Sequence, residues 1–353
     1  MARIQLARIH LVVTAVLGTL VIANVARPLP AAEFPAHFIP PAGPRSDLAV
    51  MTYNVKGLPF PAAFGRASAL ARIGENLEDL ALTGHRPDVV ALQEAFIPEA
   101  KAIAGQAGYK YLAIGPQQVD ASPARPTSDH DSVHASGTLN LARKASWVKG
   151  ETEGKWVDSG LVIMSDYPIV ATRKMAFPQD LCAGFDCLAS KGVLIAWIRI
   201  PGQPQPVAVA DTHLNARSAS GVSVARANAA YGLQLSALRT FIGQQVDRKT
   251  SLIFAGDFNV GHDPDRVAAA RAEMMTATGS SEATAVAAAT PAMTQPASND
   301  LNAVIKHGKD KQYFRAGLGQ QLHYSSLEVP FGLASKSASL SDHLGYAVHY
   351  SLK

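Results

Sequence analysis

Four short apolar runs constrain this chain most, because each has strand length and each stops on residues that an apolar core does not keep. They are "LAVMTYNV" (48–55), "VVALQEAF" (89–96), "PVAVADTHLNA" (206–216) and "SLIFAGDFNV" (251–260). Their Val, Ile, Leu and Ala content fits strands buried on both faces. Their ends carry Asn54, Glu94, Asp211, His213, Asn215, Asp257 and Asn259. Strands lying side by side in a sheet bring such end residues together along one rim.

Between these runs, residues 66–85 and 225–246 space their apolar residues as helices do, and 159–169 and 191–200 read as further sheet strands. The pattern is that of a layered α/β domain. At 353 residues, 48% hydrophobic and 17% charged, the chain can bury a sizeable core. Residues 116–137 are Pro/Ser-rich and 277–298 are Ala/Thr/Ser-rich. Neither has enough bulky apolar side chains for a core element, so both are expected to be surface insertions.

Arg3 and Arg8 precede the uncharged run "LVVTAVLGTLVIANVA" (11–26), followed by "RPLPAAEFP". This is the layout of an export signal cut near Ala32, with a retained membrane anchor as the alternative. The expected plan is a signal at 1–32, a linker at 33–46 and one domain over 47–353, exported to a periplasm or beyond. Removing 1–32 takes away Arg3, Arg8 and Arg27 and no acid, leaving 29 basic against 28 acidic residues. The sequence pI near 9.0 is therefore weak support for a nucleic-acid partner. Cys182 and Cys187 in "CAGFDC" are expected to form a small disulfide loop, as suits an oxidising compartment.

Taken singly, each Asp or Asn after a strand is more often a turn former than a catalyst. Jointly they offer acids for a divalent cation, amides for phosphate oxygens and histidines for proton transfer, the parts needed for phosphodiester hydrolysis. There is no P-loop and no dinucleotide glycine fingerprint.

"TYNV", "LQEAF", "DTHLNA", "GDFN" and the terminal "SDH" occur in an order that resembles the endonuclease/exonuclease/phosphatase superfamily, over about residues 47–350. The likeness extends to deoxyribonuclease I and to secreted and neutral sphingomyelinases. It implies an α/β fold of two packed β-sheets flanked by helices, a four-layer sandwich of the deoxyribonuclease I-like type.

It also implies roles. Glu94 matches the magnesium-binding glutamate, with Asn54 beside it and Asp342 as a further polar member; Mg²⁺ is expected, with Mn²⁺ or another divalent cation as alternatives. His343 matches the histidine that activates water. Asp257 and Asn259, two apart on one side of an extended segment, match the pair that orients that water and holds phosphate. His213 matches the histidine that stabilises the transition state or protonates the leaving oxygen. Asp310 in "KDKQYFRAG", or Asp300, is expected to orient His343.

The strand "CLASKGVLIAWIRI" resembles the Lys-Gly strand of the sphingomyelinases, which makes Lys191 either a phosphate-holding cation or a solvated strand start. Asn215 is grouped with Asn54 and Lys191 as phosphate-binding. A phospholipid is the expected substrate, a nucleic acid the runner-up, and a catalytically silent binding protein the third reading. Contact with a membrane is left open, residues 57–64 being read as a buried turn, and a monomer is expected.

Overall fold

The computed structural model describes residues 47–120, 141–290, 298–332 and 340–353. The expected signal and linker lie outside these residues. Among those described, no helix is long and apolar enough to cross a membrane.

One six-stranded sheet holds β1 (Asp47–Gly57), β2 (Val89–Ala95), β3 (Tyr111–Ile114), β4 (Val162–Ser165), β11 (His323–Phe331) and β12 (Gly345–Ser351), in the order β11-β12-β1-β2-β4-β3. The other holds β5 (Ile169–Ala176), β6 (Gly192–Ile198), β7 (Val207–His213), β8 (Leu252–Asp257), β9 (Ser281–Glu282) and β10 (Asp310–Arg315), in the order β5-β6-β7-β8-β10-β9. Each sheet has one parallel pair near its middle, β1 with β2 and β7 with β8; the remaining pairs are antiparallel. A crossover helix joins each parallel pair, Arg66–Leu82 in the first sheet and Val224–Gln245 in the second.

Period-two alternation explains the layers. Leu48 and Val50 of β1, Val89 and Ala91 of β2, Val207 and Val209 of β7, and Ile253 and Ala255 of β8 fill the space between the sheets. Their neighbours Met51, Tyr53, Val90 and Leu92 pack under the helix Arg66–Leu82, while Ala208, Ala210, Leu252 and Phe254 pack under Val224–Gln245. The result is helix, sheet, sheet, helix, the four layers expected. Leu194 of β6 is fully buried between the sheets, where truncation to Ala typically costs about 2–5 kcal/mol.

Two expectations need correction. Within 277–298, Ser281–Glu282 pairs with β10 and the helix Ala283–Ala289 puts Ala283 and Ala287 into the inter-sheet core. Small side chains serve there because the helix backbone itself lies close. The turn at 57–64 is not buried: Phe60 and Phe64 are 44% and 72% exposed and meet edge to face at 5.1 Å. The expected disulfide Cys182–Cys187 is present.

Candidate active site

The rows of side chains between the sheets turn polar as they reach one rim. In β1 the row Leu48, Val50 continues as Thr52 and Asn54; in β7 Val207, Val209 continues as Asp211 and His213; in β8 Ile253, Ala255 ends in Asp257; in β10 Phe314, Gln312 ends in Asp310. Strand register aligns the last of these, with His213 opposite Asp257 and Asp257 opposite Asp310. Asn54 Nδ2 crosses between the sheets to donate to Asp257 Oδ2 at 3.0 Å. One step deeper, Gln93 donates to Asp211 Oδ1 at 2.8 Å, and Tyr350 donates to Gln312 at 3.0 Å. This deeper tier ties the sheets together beneath the rim.

Alternation alone would aim Glu94 at the helix side, with Val90 and Leu92. A left-handed backbone at Glu94 (φ 56°) breaks the period and lets it join the rim. Among the described residues, the other non-glycine positions with positive φ are Lys56 (52°) and Asn259 (48°), so this costly geometry is concentrated at the site. Gly57 fits tightly beside it, since a Cβ there would lie 2.7 Å from the Glu94 carbonyl oxygen.

At one corner, His343 Nδ1 donates to Asp310 Oδ2 at 2.8 Å, and its Nε2 lies 3.8 Å from Asp257 Oδ2. Ser341 Oγ donates to the Asn54 carbonyl at 2.7 Å, fastening the "SDH" segment to the end of β1. Burial by itself would lower the His343 pKa, but the Asp310 and Asp257 carboxylates override it and raise it to about 10. This ring is an imidazolium at neutral pH. A cleft of about 190 Å³, lined by Val304, Lys309, Asp342 and Leu344 among others, opens beside it.

At the other corner, His213 Nε2 lies 3.5 Å from Asp257 Oδ2, 4.0 Å from Glu94 Oε1 and 3.0 Å from Lys191 Nζ. Burial and the adjacent Lys191 ammonium lower its pKa to about 3. The ring is neutral, and Nε2 accepts from the lysine. Asp257 between the two rings is held ionised. Burial opposes this, but the His343 and His213 rings and the donors of Asn54 and Asn259 outweigh it, bringing the pKa down to about 2.

Lys191 is buried, pairs with Asp186 and reaches the Leu214 carbonyl at 3.3 Å, so it is no solvated strand start. The Lys-Gly order has a packing reason, because a Cβ on Gly192 would lie 2.0 Å from the Met175 carbonyl oxygen of β5.

A divalent cation fits the Glu94 side of the site by donor chemistry. Glu94 is a carboxylate whose pKa burial raises, the Asn54 donor and Lys191 opposing only in part, and a cation would relieve that cost. Its neighbours supply hard oxygen and no sulfur. The Asn54 oxygen already accepts the Lys56 N–H at 3.0 Å and has one lone pair left. Asp257, Asp310 and His343 also lie within metal-ligating reach of one another, but the Asp310–His343 hydrogen bond occupies that corner.

Other expected residues sit differently. Asp342 lies at the mouth, half exposed, 3.5 Å from Lys56 Nζ and outside the buried cluster. Asn215 is fully buried; its oxygen accepts the Ala183 N–H at 2.9 Å and its NH₂ donates to the Ala216 carbonyl at 3.0 Å, so it braces a loop. Asn259 is near Asp257 by a turn, since β8 ends at Asp257; the Asp257 carboxylate accepts the Asn259 N–H at 2.8 Å, and Asn259 Nδ2 donates to Leu214 O at 3.0 Å. Asp310, not Asp300, holds His343.

Asp186 and Arg266 were not legible in the sequence. Arg266, fully buried, donates to the carbonyls of Asn215 (2.8 Å) and Asn259 (2.9 Å) and fixes the turns after β7 and β8. A charged residue inside an Ala-rich helix start gave no sign of this.

The profile of the endonuclease/exonuclease/phosphatase family matches residues 51–291. A comparison with curated protein sequences finds no match. Solved structures with this fold include a beta toxin from Staphylococcus aureus, at 16% identity and TM-score 0.56 over 85% of this chain and 99% of that one. Sphingomyelinase C from Streptomyces griseocarneus matches at 20% identity and TM-score 0.53, over 86% and 99%. D. rerio TDP2, solved with a single-strand DNA product, matches at 15% identity and TM-score 0.52, over 87% and 99%. A beta toxin variant of the same fold (16% identity, TM-score 0.55, 87% and 100%) holds magnesium ions. With the family profile covering most of the domain and the expected sheets in place, the chain belongs to the endonuclease/exonuclease/phosphatase family and is a hydrolase of its metal-dependent class.

Proposed function

We propose that this chain is an exported, Mg²⁺-dependent phosphodiesterase that cleaves a phospholipid by in-line attack of water. The observation that carries the reading is the pair of histidines, one charged and one neutral, on either side of the ionised Asp257. Export rests on the leader sequence at 1–32. The phospholipid rests on the Lys-Gly strand and on the sphingomyelinase C among the neighbours.

Glu94 and Asn54 would hold the cation, which supplies Lewis-acid stabilisation of charge developing on the phosphate. His343 Nε2 and Asp257 Oδ2, 3.8 Å apart, bracket a position for the attacking water. Asp310 fixes the His343 ring through Nδ1, leaving Nε2 to take the water proton once its own proton has gone to solvent. Lys191 and His213 face the opposite side, where the ammonium donates to phosphoryl oxygen or to the departing alkoxide. That shifts part of the role implied for His213 onto Lys191, because a ring neutral down to about pH 3 is a poor acid.

The test is hydrolysis by the purified protein of sphingomyelin in mixed micelles and of plasmid DNA, each with Mg²⁺ and with EDTA. Phosphocholine release abolished by EDTA supports the reading. Nicked DNA with intact lipid moves the substrate to nucleic acid, the second reading, which the TDP2 neighbour with its DNA product favours. Binding without turnover of either would leave a catalytically silent protein.

A further inference from the structure

Glu94 reaches the rim because its backbone is left-handed (φ 56°), a conformation that residues other than glycine keep only where their surroundings hold it. Left to the alternation of β2, its carboxylate would follow Val90 and Leu92 to the helix side. Its neighbours oppose that. Directly after it, the Ala95 N–H donates to the Gly160 carbonyl at 2.9 Å. Beside it, Gly57 packs against the Glu94 carbonyl with no room for a Cβ. Directly before it, Gln93 is tied down by its side chain.

The Gln93 amide is engaged at both ends. Nε2 donates to Asp211 Oδ1 at 2.8 Å and to the Ala91 carbonyl at 3.1 Å, and Oε1 accepts from Thr52 Oγ1 at 3.4 Å. Thr52 and Ala91 belong to the same sheet as Gln93, whereas Asp211, on β7, reaches it from the other. Gln93 and Asp211 are both fully buried, and Asp211 stands opposite Leu194 of β6, beside the apolar core. A carboxyl there is costly. Burial pushes its pKa well up, the Gln93 amide and the Thr212 N–H opposing only in part. An apolar side chain would pack there at less cost, so stability alone does not account for the acid. What the acid supplies, and Val or Leu would not, is an acceptor aimed at Gln93.

We infer that Asp211 is a positioning residue: acting from the second sheet through Gln93, it keeps Glu94 left-handed and its carboxylate at the rim. The inference deepens the proposed function, and its consequence for cation binding rests on the reading of Glu94 as a ligand. Partners that orient a metal ligand from behind typically contribute about 10–100-fold to affinity.

The test uses the full chain without substrate. Mn²⁺ affinity is read from the electron paramagnetic resonance signal of the free ion. In the metal-free protein, exchange of the Ala95 amide is compared by NMR with that of Val90, earlier on the same strand. Asp211→Val and Gln93→Met keep similar bulk and remove the tie. Each should weaken Mn²⁺ binding about 10–100-fold and speed Ala95 exchange relative to Val90. The double variant should be no worse than either single one, since the two residues act through one hydrogen bond. Leu194→Ala opens a cavity opposite Asp211 but removes no hydrogen bond, and should leave both readings as in the native chain.

Native Mn²⁺ affinity or native Ala95 exchange in Asp211→Val overturns the inference. So does an equal loss in Leu194→Ala, which would mark a general loosening of the core. Mn²⁺ binding that is absent from the native chain, or unchanged by Glu94→Ala, sinks the reading of Glu94 as a cation ligand instead, and the Ala95 exchange then decides the inference by itself.

Discussion

His213 and His343 stand on opposite sides of the same carboxylate, yet one is a neutral ring and the other an imidazolium. His343 is surrounded by acids, Asp310 at 2.8 Å and Asp257 at 3.8 Å, and holds its proton to about pH 10. His213 is buried against the Lys191 ammonium and refuses a proton until about pH 3. Residue type and distance to Asp257 are nearly shared, so the difference lies in the neighbours one shell out. A motif that names two histidines does not say which of them holds a proton at neutral pH; the lysine and the second aspartate do.

The largest effect expected is on turnover. His343→Ala in a folded protein should lower Mg²⁺-dependent hydrolysis about 10²–10⁴-fold, the range of a positioned acid or base. Glu94→Ala should lose the dependence on Mg²⁺ along with the activity, measured as initial rate against metal concentration.

Asp310→Asn sharpens the comparison further. Removing that carboxylate lowers the His343 pKa, so if His343 acts as a base, the acidic limb of the kcat/KM–pH profile moves to lower pH. If His343 acts as an acid, the alkaline limb moves down instead. Lys191→Met removes the cation that depresses His213, so the His213 pKa should rise, and turnover should fall through kcat more than KM.

Stability follows the same asymmetry. The folded-state pKa of His343 is raised above 6.5, so its contribution is complete below about pH 6.5 and fades as the pH rises towards 10. For His213 the folded value is depressed. The unfolded chain takes up a proton that the fold refuses, and stability falls as the pH drops from 6.5 towards 3. Asp257, with its pKa lowered from 3.8 to about 2, loses its contribution over that interval. Urea midpoints measured across pH should fall on both sides of a neutral maximum.

The smallest effect belongs to the disulfide. Cys182→Ser with Cys187→Ser should cost about 2 kcal/mol, as a short cross-linked loop does. It should loosen the Asp186–Lys191 side while leaving the His343 corner intact, as thermal melts and the pH profile would show.

Much of this was legible in the sequence because period two is rigid. Once Leu48, Val50, Val209 and Ile253 are read as core, Asn54, His213 and Asp257 must end the same inter-sheet rows. Glu94 and Asn259 escape that logic because a left-handed backbone turns them, and φ is not written in residue type when the residue is not glycine. By residue type Asn215 suits a phosphate ligand as well as a loop brace, and only its partners, the Ala183 N–H and the Ala216 carbonyl, show the bracing role. Asp186 escapes the same logic because it comes from a loop whose path depends on the disulfide. The helix Ala283–Ala289 was missed because its core contacts are made by alanine, which carries little periodic signal.

The most direct test is a histidine-specific NMR titration of the metal-free protein, with His213→Gln and His343→Gln used for assignment. One imidazolium should stay protonated well above pH 8, and one buried neutral ring should not titrate above pH 4. Two rings titrating together near their ordinary value of 6.5 would overturn the assignment of one charged and one neutral histidine.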